Sequence, residues 1–336
     1  MTFPAATNQA CANVVPDTRL IEPQYLYFYL LSEREALIDK GQGGAQPNIS
    51  QQIVKAHDIL LAPLNEQRRI VWKLEKILSR ADAAQERLAT IPRLLKRFRQ
   101  SVVASACSGR LTADWRKKNR ENHAWESCQL GSICKFIGGS QPPKSQFIFE
   151  PKGGYIRLIQ IRDYKSDRHL TFIPSQSARR TCTKDDVMIG RYGPPLFQIL
   201  RGIEGAYNVA LMKAVPKSKE KLLNDFLYTR LQDPTLQAFI INASERTVGQ
   251  DGVRKDLLEE YEIDLPTLLE QQEIVCRVEL LFKTADALEA RYRTAKAHVE
   301  KLTQSILAKA FRGELVSQDP NDEPASVLLE RIGEDS

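Results

Sequence analysis

Between residues 274 and 306 apolar side chains recur in steps of four and three: Ile274, Val278, Leu281, Ala285, Leu288, Tyr292, Ala295, Val299, Leu302 and Ile306. That is the a/d spacing of a heptad, and it predicts a long helix with one apolar seam. Subtracting 204 from each number gives Ile70, Leu74, Ile77, Ala81, Ala84, Leu88, Ile91, Leu95, Phe98 and Val102, all of them apolar. The offset also holds outside the seam. Asn65-Glu66-Gln67-Arg68-Arg69-Ile70-Val71 returns as Leu269-Glu270-Gln271-Gln272-Glu273-Ile274-Val275, and Ser105-Ala106-Cys107-Ser108-Gly109 returns as Lys309-Ala310-Phe311-Arg312-Gly313. The chain is therefore an internal repeat. It predicts two antiparallel helices of roughly 60 Å, packed as a coiled coil in which each seam is the other's partner. Ile70, Leu74, Ile77, Leu88, Leu95 and Phe98 on one helix, with Ile274, Val278, Leu281, Leu288, Leu302 and Ile306 on the other, are the expected contact positions.

The helix ends carry their own signals. Thr267 and Glu270 have capping-box spacing, Asn65 is the candidate cap of the first helix, and Gly109 and Gly313 stand where left-handed terminators belong. Pro92 lacks a backbone donor and is expected to kink the first helix after Leu88.

From about residue 125 the pattern changes to short β-rich runs at 155–161, 169–173, 186–189 and 208–214, punctuated by Gly138-Gly139, Pro142-Pro143 and Gly193-Pro194-Pro195. Helical stretches follow at 222–231 and 236–243, then a strand at 262–265. The fold class is α+β, with a mixed domain at 122–266, long helices at 64–112 and 267–316, and a tail at 317–336. Residues 1–63 repeat only the end of that domain: Ile49, Ile53, Ile59 and Leu61 correspond to Val253, Leu257, Ile263 and Leu265. They read as a partial first copy, and a full copy would need roughly 80 more residues before Met1.

Charge sharpens this picture. The net charge is +6, but residues 135–215 hold 13 Lys and Arg against 6 Asp and Glu, a surplus of 7 that accounts for the whole excess. Such a concentration suits a phosphate-backbone binder, and it also suits a solvated basic surface. Cys11, Cys107, Cys128, Cys134, Cys182 and Cys276 are scattered without a C-x-x-C pair, as are the four histidines, so neither zinc nor disulfides are expected. With no apolar run of membrane-spanning length and no signal-peptide pattern at the start, the expected compartment is the cytoplasm.

A search for chemistry finds no phosphate-binding G-x-x-x-x-G-K-[ST], no dinucleotide loop at Gly41-Gln42-Gly43-Gly44, no amino-methyltransferase or nuclease motif, and no nucleophile with a partnered base. The chain reads as a non-enzyme. What the middle domain does supply is base-reading and phosphate-binding side chains: Arg157, Gln160, Arg162, Lys165, Arg168, Arg179, Arg180, Arg191, Tyr192, Arg201, Asn208 and Gln250. Gly190-Arg191-Tyr192-Gly193 is the favoured loop. The alternative is a coiled-coil interaction scaffold that does not read DNA.

The helix-start motif Pro63-x-x-Glu66-Gln67-x-x-Ile70, the helix-end motif Ser305-x-x-x-x-Ala310-x-x-Gly313-x-Leu315, the domain start at Trp125-Glu126-Ser127-Cys128-Gln129-Leu130, and the runs Gly205-Ala206-Tyr207-Asn208 and Gly249-Gln250-Asp251-Gly252 resemble the specificity subunits of type I restriction-modification systems. The resemblance spans nearly the whole chain. It implies two recognition domains that each read half of a bipartite site in double-stranded DNA, and helices that space them and dock methyltransferase subunits, two per complex, and a restriction subunit. S-adenosylmethionine, Mg and ATP would then be bound by those partners and not by this chain. The shortened first domain departs from the pattern, and self-association with a second copy would restore two readers.

Overall fold

The computed structural model describes residues 11–41, 49–119, 124–245 and 252–334. The helices are α1 (Pro23–Ser32), α2 (Arg34–Asp39), α3 (Gln51–Lys55), α4 (Leu64–Cys107), α5 (Ala113–Asn119), α6 (Leu130–Ile133), α7 (Asn224–Leu231), α8 (Pro234–Glu245), α9 (Lys255–Glu260), α10 (Leu268–Phe311) and α11 (Ala325–Glu334). The strands are β1 (Glu126–Gln129), β2 (Cys134–Gly138), β3 (Tyr155–Ile159), β4 (Phe172–Pro174), β5 (Thr181–Cys182), β6 (Val187–Gly190), β7 (Gln198–Arg201), β8 (Gly205–Tyr207), β9 (Leu211–Pro216) and β10 (Glu262–Leu265). Two units result, Met1–Pro92 with Glu289–Ser336 and Arg93–Leu288, and α4 and α10 contribute to both.

In the first unit the start of α4 packs antiparallel to the end of α10, with Ile70 and Leu74 against Ile306, Leu307 and Ala310. α1 completes this core with Tyr25, Leu26 and Phe28. Tyr25 and Tyr29 set their rings edge-on to Phe311 at 5.3 and 5.1 Å. Their hydroxyls donate to the Leu60 and Asp58 carbonyls at 2.8 and 2.9 Å. A buried phenol that keeps a hydrogen bond avoids the desolvation cost of an unpaired one.

The second unit carries the sheets. β2-β9-β6-β7 form an antiparallel sheet, and β4-β3-β8-β5 a mixed one in which β3 and β8 run parallel. β6 explains its own Val-Met-Ile composition. Val187 and Ile189 join the core with α7 and α8, around Phe226, Leu227, Leu236 and Ile240. Met188, facing the other way, meets Ile159, Cys182, Tyr207 and Leu211 between the two sheets. A strand covered on both faces has no polar side to show. The same core takes in Val102 and Ala106 of α4 and Ile274 and Val278 of α10, and Arg99 pairs with Asp286 at 2.7 Å.

Both long helices start with the same fastening. Gln67 is fully buried; its amide nitrogen donates to the carbonyls of Leu20 and Ala62 at 2.9 and 2.8 Å, and its oxygen accepts from the Glu22 N–H at 2.8 Å. Gln271, 204 positions later and as deeply buried, donates to Lys221 and Pro266 and accepts from the Leu223 N–H at 2.9 Å. Across α1, further upstream, the offset becomes 201. The buried set Tyr25, Leu26, Phe28 and Tyr29 of α1 maps onto Phe226, Leu227, Thr229 and Arg230 of α7. Residues 1–63 thus repeat the α7 end of the sheet-bearing unit, with no strand among their described residues. Ile59 records the difference: it is 42% exposed, whereas Ile263, its counterpart on β10 beneath β1, is 2% exposed.

Several expectations need correction. Asn65 lies inside α4 and cannot cap it; Thr267 does cap α10, its hydroxyl accepting from the Glu270 N–H at 3.4 Å. Gly109 and Gly313 do take left-handed φ angles of 73° and 75°. Apart from these corrections, α4 is one helix that includes Pro92, which is solvent-exposed, so the Leu88 carbonyl freed by the missing donor lies on a hydrated part of the helix. Phe98, Leu288 and Leu302 are 39%, 48% and 44% exposed. Two paired helices cover a seam from one side only; Ile70, Leu74 and Ile306 also pack with α1, and Val102, Ile274 and Val278 also join the core of the sheet domain. His169 lies in a 3-10 turn before β4, and Asn208 precedes β9. β1, β2, β5, β7 and β8 were not expected. Gln250, with Gly249 and Asp251, and Gln42-Gly43-Gly44 lie outside the described residues.

Candidate nucleic-acid interface

The C-terminal ends of four strands converge on one edge of the sheet domain. β3 and β8 are parallel, so Gln160 and Asn208 leave them side by side, and the Asn208 N–H donates to the Ile159 carbonyl at 3.1 Å. β2 ends at Gly138, opposite Met212, and β6 ends at Gly190, opposite Leu211. The next residue, Arg191, donates its N–H to the Ala210 carbonyl at 2.9 Å and accepts at its own carbonyl from the Val253 N–H at 3.0 Å. Gly139 abuts Asn208 so closely that a Cβ there would fall 1.9 Å from the Asn208 oxygen. Only glycine lets these two loops meet.

This edge gathers most of the candidate residues. Arg191 reaches the Val209 carbonyl at 3.4 Å and lies 5.2 Å from the Tyr192 ring, which is exposed. Asn208 turns its chain by accepting the Ala210 N–H at 3.1 Å. Lys165 and Arg168 stand exposed on the loop after β3. Arg179 and Arg180 are also exposed, and the Arg180 carbonyl accepts from the Tyr207 N–H at 3.1 Å. Tyr207 anchors the edge from below. Its hydroxyl donates to the Ile137 carbonyl at 3.2 Å, and burial pushes the phenol up to about 12, which keeps it a donor at neutral pH.

Other candidates are committed inside the fold. Arg157 binds Asp167 at 2.8 Å and faces the buried Asp163 at 3.8 Å. Gln160 and Asp163 form a capping box, and the Gln160 amide donates to Thr171 at 3.1 Å. Arg162 lies 3.9 Å from Asp163. Burial raises the Asp163 carboxyl, while the Gln160 N–H and the Arg157 guanidinium pull it down. These groups shape the loop that carries Lys165 and Arg168. Arg201 sits at the far end of β6, paired with Asp225 at 2.7 Å over the Tyr228 ring at 4.0 Å, and does not join the edge.

The fold adds residues that sequence reasoning missed. Ser140, Gln141, Gln146, Gln176 and Ser177 line a cleft beside Arg179, and no acidic residue lines it. Its two walls come from 140–146 and 176–179, distant in sequence. Neutral polar residues beside Gly-Gly and Pro-Pro were the only signal, with no periodicity to expose it.

An edge rich in uncommitted donors and arginines, and free of acid in its cleft, is suited to a polyanion with patterned edges. The family description "Type I restriction modification DNA specificity domain" matches residues 2–93 and 122–296. The chain belongs to this specificity-subunit family. It is 31% identical to the type I restriction enzyme EcoBI specificity subunit of Escherichia coli, across 98% of this chain and 75% of that protein. It is 30% identical to the EcoDI specificity subunit of the same species, across 93% and 76%. A solved structure from work on complex assembly and conformational transition of the type I R-M system shares the fold with a TM-score of 0.70 at 22% identity, covering 89% of this chain and 73% of its own. The HsdS subunit from Thermoanaerobacter tengcongensis gives 0.57 at 23% identity, covering 88% and 71%. The long paired helices and the mixed recognition domain are the architecture of the family. Among the described residues no helix is long and apolar enough to cross a membrane.

Proposed function

We propose that this chain is the non-catalytic DNA-reading subunit of a type I restriction-modification assembly. Its complete recognition domain reads one half-site in double-stranded DNA, and its helices dock the methyltransferase subunits and, through the complex, the restriction subunit. The observation that carries this reading is the edge where β2, β3, β6 and β8 end, with Arg180 and Arg191 on it and an acid-free cleft lined by Arg179, together with the exposed Lys165 and Arg168 on the loop after β3. In this reading S-adenosylmethionine, Mg and ATP belong to the partners.

The test is co-purification with the cognate methyltransferase subunit, followed by mapping of methylated bases in the host genome with and without this chain. A motif that disappears on deletion supports the reading. A palindromic motif supports pairing of two copies, and a single half-site supports one copy per complex. Methylation unchanged by deletion, or no assembly, sinks it and favours the interaction scaffold.

A further inference from the structure

Glu66, on the first turn of α4, is 6% exposed, yet its carboxylate receives no hydrogen bond or ion pair from the described residues. Its counterpart 204 positions later, Glu270, is 2% exposed and fully engaged. One Glu270 oxygen accepts from the Thr112 hydroxyl at 2.6 Å and from the Arg116 guanidinium, and the other accepts from the Trp125 indole N–H at 2.9 Å. At the same offset Thr112 and Arg116 become Val316 and Pro320, which have no side-chain donor. A buried carboxylate without donors is costly. The chain just ahead of Glu66 is unfilled in the same way. The Tyr29 and Tyr25 hydroxyls hold the Asp58 and Leu60 carbonyls, but the N–H groups of Ile59, Leu60 and Leu61 make no hydrogen bond to the described residues, and Ile59 and Leu60 are exposed. In the second unit the matching residues are β10, on which β1 lies antiparallel from Glu126 opposite Leu265 to Gln129 opposite Glu262. Leu130 and Ile133 then join Ile263 in the core. A single segment that starts at Trp125 thus supplies the carboxylate's donor, the strand's partner and the apolar cover.

We propose that residues 58–61 and Glu66 form a strand-addition seat for a separate polypeptide, whose segment presents an indole N–H to Glu66, runs antiparallel to 58–61 and covers Ile59 with apolar side chains. An unpaired edge with free N–H groups is the template such a strand needs. A folded second copy of this chain does not fit the seat, because its own Trp125 and β1 are engaged by Glu270 and β10.

The probe is a fluorescent synthetic peptide with the sequence of residues 122–133, added to the full chain. Anisotropy reads its binding, and hydrogen exchange reads its place. Binding should slow exchange at the Ile59 and Leu61 amides and leave the Ile263 amide, already beneath β1, unchanged. Trp125→Phe in the peptide removes the indole donor and should weaken binding about tenfold, the worth of one hydrogen bond to a charged group. In a Glu66→Leu chain that tenfold difference between the two peptides should vanish. Ile59→Lys, at an exposed position that the fold does not need, should weaken both peptides. No binding overturns the proposal, as does slowing at Ile263 alone, which would mean that the peptide displaces β1 instead. Equal binding of the two peptides to the wild-type chain also overturns it. If Glu66→Leu does not fold, Ile59→Lys decides: weaker binding upholds the seat, and unchanged binding discards it.

Discussion

Replacing Gln67 or Gln271 with leucine would leave two carbonyls and one N–H without partners in a site closed to water. At about 1 kcal/mol or more per stranded group, each variant should lose about 3 kcal/mol. Hydrogen exchange locates the effect: the Glu22 amide should speed up in Gln67→Leu and the Leu223 amide in Gln271→Leu, and unchanged protection at those amides would refute the fastening. The cysteines give a second test. Burial pushes Cys107 and Cys182 up to about 11 and Cys134 up to about 12, whereas Cys11 and Cys276 are exposed. At pH 8 an alkylating reagent should label the exposed pair first, and the buried three only on unfolding. The folded chain retains thiol protons that the unfolded chain releases above its ordinary value near 9. Stability should therefore fall as pH rises from about 9 to about 11, less steeply in Cys107→Ala. At this scale the sequence was a partial guide. Arginine identity could not separate Arg157 and Arg201, which meet carboxylates, from Arg179, which meets none. That difference depends on neighbours brought from elsewhere in the chain.

Helices were the most legible elements, because a seam repeated at a constant offset is local information that no tertiary contact has to supply. What the spacing could not state is which seam positions receive a second layer of cover. Leu74 does, since α1 packs over it; Leu302 does not. Leu74→Ala should accordingly cost about 3 kcal/mol and Leu302→Ala under about 1, measured by denaturant unfolding of the unit that holds both. Equal losses would refute the one-sided seam. Pro92→Ala restores a backbone donor in mid-helix and should stabilise α4 by about 1 kcal/mol or more. The strands were less legible. β5 has two residues and β8 three, too short for alternation to register, and both exist because β3 offers β8 a neighbour.

For the molecule as a whole, the surplus of 7 positive charges in residues 135–215 should appear as a steep fall of DNA affinity with salt. Removing Lys165 or Arg168 should lower the slope of log K against log salt by about 1 each, while Arg201→Ala should leave it unchanged. A slope indifferent to Lys165 and Arg168 would move the phosphate contacts elsewhere. The repeat between residues 1–63 and the end of the sheet-bearing unit was visible in the sequence from its offset, but the bare face at Ile59 required the comparison with its covered twin, Ile263. The two glutamine fastenings have a further consequence. Each grips only peptide groups of the domain it holds, and peptide groups are the same whatever side chains they carry. The socket is therefore blind to the vocabulary of its occupant: the side chains of the held domain can be rewritten, letter by letter or wholesale, and the mount will hold the new text as firmly as the old.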